Sequence, residues 1–128
     1  VQHDTVAFSY GITTTTGSSG NFKVTNAGVY KVLPSVQYKG NANGKITLWM
    51  KVNGSNAANT GTLTTVKNGE EGIITCEYLL NLAAGDEVQV WALADGHDSL
   101  INYIAGGGSG SNTYPASPGV ITNIYRIR

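Results

Sequence analysis

Much of what this chain can be is set by what it has little of. Cys76 is its only cysteine, which excludes an intrachain disulfide and fits folding in a reducing compartment, whatever the later destination. Charged residues make up 12% of the 128, about half the usual share. The formal net charge is zero and the eight basic residues are scattered. With no basic run to neutralise phosphates, nucleic acid is not an expected partner. No stretch approaches the 18 or more continuous apolar residues of a helical membrane span. No signal-peptide pattern opens at Val1, as would also be true of a chain from which one had been removed. Histidine is limited to His3 and His97, and no segment carries a convincing amphipathic helical period.

The missing charge is replaced by Thr, Asn, Ser and Gly. Thr is β-branched and suits strands, while Asn and Gly suit the turns between them. Apolar residues reach 41%, enough for one hydrophobic core, and a single domain over 1–128 is expected. Period-two alternation dominates. Thr5–Tyr10 and Phe22–Val24 read as short strands, with the polar stretch Thr13–Gly20 between them. Val29–Tyr38 alternates but contains Pro34, where a bulge or an edge position is expected. Ile46, Leu48, Met50 and Val52 share one face of a strand that ends at Asn53-Gly54, a hairpin signal. Thr60–Val66, Ile74–Leu82, Val88–Leu93, Leu100–Ala105 and Val120–Ile127 follow, with a Gly/Ser-rich loop over Gly106–Gly119. Eight or nine evenly spaced strands predict a two-sheet antiparallel sandwich.

Three of these strands are apolar on both faces. Trp49 stands opposite the Ile46 stripe, and Trp91 and Leu93 opposite the Val88 stripe. In the last strand Ile121, Tyr125 and Ile127 oppose Val120 and Ile124. A sandwich needs one apolar face per strand, so a second burial partner is expected. Another copy of the chain is the simplest supply. Trp49, Trp91, Leu93, Ile121, Tyr125 and Ile127 are therefore the predicted interface, and charged replacements there are expected to leave monomer or nothing folded. The competing account is that isolated exposed aromatics are ordinary.

Phe22-Lys-Val-Thr-Asn-Ala-Gly-Val-Tyr resembles the F-x-V-x-x-x-G-x-Y motif of the tumour-necrosis-factor and complement globular-head superfamily. Leu80-Asn-Leu-Ala-Ala-Gly-Asp-Glu-Val-Gln-Val resembles its L-x-x-G-D-x-V-x-V strand–turn–strand, and Lys51-Val-Asn-Gly the hairpin between them. The resemblance implies a jelly roll of about eight to ten strands, assembled as a homotrimer. It also implies one inner sheet holding Lys45–Val52, Glu87–Leu93 and Val120–Ile127. The ending Pro115-Ala-Ser-Pro-Gly-Val-Ile-Thr-Asn-Ile-Tyr-Arg-Ile departs from the animal members. It is similar to the ends of related domains in phage, giant-virus and bacterial surface proteins.

Catalytic chemistry has little material. A Cys76–His97–Asp98 set can be written down, but Cys76 lies on the apolar stripe with Ile74 and Tyr78, where a thiol behaves as a small hydrophobe. A polysaccharide hydrolase needs two convergent carboxylates, whereas Glu70, Glu71, Asp86 and Glu87 fall in or beside turns. Asp95-Gly-His-Asp98 offers carboxylates for calcium, against the ordinary reading of a solvated turn; no other cofactor is expected. Trp49, Trp91, Tyr103 and Tyr114 have faces suited to sugar rings. Tyr114, beside Asn112 in the late loop, is the predicted ligand-loop position. Gly106-Gly-Gly-Ser-Gly-Ser has no following helix or P-loop Lys and reads as a flexible loop. Asn53-Gly-Ser55 matches a glycosylation sequon but is explained by its turn.

The expected function is non-enzymatic: a trimeric virion surface protein, as a capsid decoration or the head of a fibre or spike, acting in assembly and attachment. Its expected partners are itself, a capsid or stalk protein, and a host-surface glycan or receptor. The alternative is a secreted or cell-surface domain that binds carbohydrate or a protein receptor.

Overall fold

The computed structural model describes residues 9–15, 20–95, 99–101, 106–116 and 118–128. Among them the fold is all-β, with every strand pair antiparallel. The strands are β1 (Ile12–Thr15), β2 (Asn21–Val24), β3 (Gly28–Gly40), β4 (Gly44–Val52), β5 (Ser55–Asn56), β6 (Thr62–Val66) and β7 (Glu71–Thr75). After them come β8 (Tyr78–Leu82), β9 (Glu87–Asp95), β10 (Ser99–Ile101), β11 (Gly107–Ser109), β12 (Asn112–Tyr114) and β13 (Val120–Arg126).

The first sheet runs β1-β2-β9-β4, with β5 and β6 both pairing β4. The second is built around the 13-residue β3. β13 and β10 line one side of it and β8 and β7 the other. β11 and β12 form a separate hairpin. Alternation decides what goes inside. From the first sheet Phe22, Val24, Ile46, Leu48, Met50, Val88 and Val90 are buried; from the second, Tyr30, Val32, Val36, Tyr38, Ile74, Tyr78, Leu80 and Leu82. They form one cluster, so the two sheets face each other across a shared core in the manner of a sandwich.

Polar ties cross that core. Tyr78 Oη lies 3.0 Å from Thr62 Oγ1 and donates to the Leu48 carbonyl at 3.5 Å, linking β8 to β6 and β4. Burial is the main force pushing the Tyr78 hydroxyl up to about 12. Thr60 is buried with its hydroxyl satisfied twice, accepting from Met50 N and donating to Ala57 O.

Pro34 is neither bulged nor at an edge. It sits mid-strand in β3, fully buried, and pairs with Thr122 of β13. The pairs Gly28↔Leu82 and Lys39↔Glu71 both sum to 110, so the register of β3 against β8 and β7 is unbroken. β7 and β8 are thus one run, interrupted opposite a proline that has no N–H to give. Only the return bond survives there, from Cys76 N to Pro34 O at 3.1 Å.

Other sequence expectations shift as well. The polar stretch after Gly11 includes a strand, β1, whose Thr13 and Thr14 pair Lys23 and Phe22. The late Gly/Ser-rich loop contains the β11–β12 hairpin, closed where Gly108 and Gly110 take positive φ. Asn53 and Gly54 both have φ > 0, as a two-residue hairpin turn requires. The predicted Thr5–Tyr10 strand lies outside the described residues, except for Ser9 and Tyr10, which precede β1 in no strand.

Candidate functional site

Because both sheets spend one face on the shared core, each turns its other face away from it. The outer face of the first sheet is set by β4 and β9. Register places Trp49 against Trp91, Thr47 against Leu93 and Lys51 against Gln89. On the far side of β4, Thr47 meets Leu63 of β6. The two indoles lie 5.9 Å apart, tilted by 34°. Trp49 Nε1 donates to Asn56 Oδ1 at 2.9 Å, and Trp91 Nε1 to Gln89 Oε1 at 3.2 Å. Lys51 Nζ stands 3.7 Å above the Trp91 ring centre, a cation–π geometry.

The outer face of the second sheet carries Ile121 beside Ser35, Asn123 beside Leu33 and Tyr125 beside Lys31 across the β13–β3 pair. On the other side of β3, Lys31 meets Leu79 and Gln37 meets Ile73. Exposure of Ile121, Tyr125, Leu79 and Ile73 is 46%, 48%, 61% and 63%, large for apolar groups gathered on one sheet. Their intervening cations are neutralised locally. Lys31 pairs with Glu77 at 3.1 Å and Lys39 with Glu71 at 3.3 Å. The Glu77 carboxylate raises the Lys31 ammonium above its usual range, and Tyr125 adds to the effect.

The six predicted interface residues therefore do not form one surface. Trp49, Trp91 and Leu93 stand on the first sheet, Ile121 and Tyr125 on the second, and Ile127 just beyond the end of β13. The three two-faced strands do not share an inner sheet either: β4 and β9 pair each other, whereas β13 pairs β3. In a ring of three, the patches that meet the two neighbours are inclined by about 60° within a subunit. Patches on opposite sides of a sandwich would stack copies into an open column instead. Leu33, Leu63, Ile73 and Leu79 escaped the sequence reading. Leu63 sits between Thr62 and Thr64, and Leu33, Ile73 and Leu79 each adjoin a residue of the buried stripe, so that only the sheet partner decides which outer face they share.

The remaining candidates separate. Asp95 ends β9, exposed, and faces Lys45 across the strand pair. Its predicted calcium partner Asp98 lies outside the described residues, as do His97, His3 and Tyr103. Among the described residues no three His, Cys, Asp or Glu side chains gather as metal ligands. Cys76 is buried within the core cluster. Asn112 and Tyr114 lie on β12, with Asn112 exposed. At the β8–β9 turn Asp86 accepts from Asn53 Nδ2 at 2.9 Å and from Ala83 N at 2.8 Å, which lowers its carboxyl below the usual range. Those bonds explain Asp86 as a turn residue that ties the β4–β5 hairpin to the β8–β9 turn. No helix among the described residues is long and apolar enough to cross a membrane. The sequence matches no protein-family model and no curated protein.

Proposed function

We propose that this chain is a non-catalytic jelly-roll subunit of the tumour-necrosis-factor-like kind. It assembles as a homotrimer and serves at a virion surface, as a capsid decoration or a fibre head, in assembly and attachment. Two strand orders support the fold: β2-β9-β4-β6 in one sheet, and β13-β3 followed by β8 and β7 in the other. Numbered by chain order, with β7 and β8 as one strand and the short β5, β10, β11 and β12 left out, the described strands run 1-2-7-4-5 and 8-3-6. The alternation of 2-7-4-5 with 8-3-6 supports the reading of two Greek keys wound into a jelly roll.

The observation that carries the assembly is the outer face of the second sheet. Ile73, Leu79, Ile121 and Tyr125 are all exposed there, and the lysines among them already have carboxylate partners. Burying such a face strands no charge, which suits self-association. The trimer axis runs along this sheet and not along the tryptophan face. Multi-angle light scattering at micromolar concentration tests it: the expected mass is three chains, and a monomer overturns the assembly. Immunogold labelling of purified particles tests the location, with label on the shell expected.

A further inference from the structure

The chain has two tryptophans, and both stand on the outer face of the first sheet, ring against ring. The cations around them are unequal. Lys23 faces Glu87 across the strands, and Lys45 faces Asp95. Lys51 faces the neutral Gln89. Its diagonal neighbour Glu87 is engaged by Asn21 Nδ2 at 3.1 Å. Among the described residues the ion pairs within 4 Å are those of Lys31 and Lys39, both on the second sheet. Lys51 is thus an ammonium held against an indole with no carboxylate paired to it.

Three kinds of group therefore meet in one patch: the exposed Trp91 ring beside the half-buried Trp49, an unneutralised cation, and the side-chain amides of Asn56 and Gln89. A sugar ring presents an apolar C–H surface suited to indole, and hydroxyls suited to amides. A carboxylate on that sugar supplies the charge-assisted partner that Lys51 does not have among the described residues. We infer that Trp49, Trp91 and Lys51 form a platform for a carboxylate-bearing oligosaccharide, whether of uronic or sialic type. This gives the attachment role proposed above a ligand class, and it rests on no feature of the trimer face.

Both tryptophans lie at the site, so the intrinsic fluorescence of the full chain reports occupancy directly. Titration with tetragalacturonate and with 3′-sialyllactose separates the two sources of the carboxylate. A saturable change is expected with at least one, and none with their neutral counterparts cellotetraose and lactose. Lys51→Gln, a surface change that leaves the fold alone, is expected to weaken binding about tenfold. Lys51→Arg keeps it within about threefold, since the charge is retained. No response to either acid, an equal response to a neutral sugar, or undiminished binding by Lys51→Gln overturns the platform. Light scattering on the same samples separates this from the assembly. A trimer that binds neither acid sinks the platform alone, and a monomer that binds one sinks the trimer alone.

Discussion

The two outer faces of this sandwich are products of the same alternation, yet they differ in how their charges are settled. On the second sheet, Lys31 and Lys39 each hold a carboxylate, and the apolar groups between them are aliphatic or tyrosine. Such a face is ready to be buried against protein, because covering it leaves no ion alone. On the first sheet, Lys51 leans on an indole and the rings carry polar edges. That face suits a ligand which brings its own charge. Exposed apolar area alone does not distinguish the two faces; the pairing of the lysines does.

The sharpest way to break the comparison is to put charge on one face and then on the other. Leu79→Glu with Tyr125→Glu places two carboxylates on the outer face of the second sheet, flanking Lys31 from either side. The association constant is expected to fall at least about 100-fold, as two buried apolar contacts are replaced by desolvated charge. Trp91→Glu is expected to leave the oligomeric state unchanged. Sedimentation velocity reads both. If the tryptophan variant dissociates and the double variant does not, the two faces have been assigned the wrong way round.

A smaller effect separates the faces from the frame that carries them. Gly40 ends β3 in the second sheet, and a Cβ there would run into the Lys67 carbonyl and Val66 Cγ1 at the end of β6 in the first. Its own N–H donates to Glu70 O, and its carbonyl accepts from Gly69 N. The neighbour is backbone and has little room to give. Gly40→Ala is expected to lower stability by about 1–3 kcal/mol, as overpacking does. Chemical denaturation measures this, and the folded fraction should still assemble. A variant of unchanged stability would mean that the sheets part easily at this end.

The sequence disclosed the faces of individual strands well and their neighbours poorly. Ile46, Leu48 and Met50 are buried and Trp49 is not, as period two predicts. Val120 and Ile124 likewise pack against the core cluster while Ile121 and Tyr125 do not. Alternation is a local property, written in adjacent residues. Which strand lies beside which is not local. β13 joins β3 across more than eighty residues of chain, and nothing in its own sequence says whether its outward side chains meet Trp91 or Leu79. Pro34 misled for a related reason. Its missing N–H does break a ladder, but the break falls on the partner strand, between β7 and β8, while β3 runs on. Gln37 and Lys31 likewise hid Ile73 and Leu79, because the second face is assembled across strands and not along one.

The smallest expected effect lies beneath both faces and should alter neither. Tyr78 reaches from β8 in the second sheet to Thr62 and the Leu48 carbonyl in the first. Tyr78→Phe removes that tie while keeping the ring, and is expected to lower stability near neutral pH by about 1 kcal/mol, the usual net worth of such a bond. The alkaline limb is more telling. In the unfolded chain the hydroxyl ionises near pH 10, and in the fold only near about 12, because burial disfavours the phenolate. A group raised in this way contributes fully below the lower value and loses its contribution as pH climbs toward the upper one. The native chain should therefore lose stability between about pH 10 and 12, and Tyr78→Phe should lose less over the same interval. Denaturant midpoints collected across that range decide it. Parallel slopes for the two proteins would mean that Tyr78 ionises in the fold much as it does outside, and that the ties between the sheets lie elsewhere.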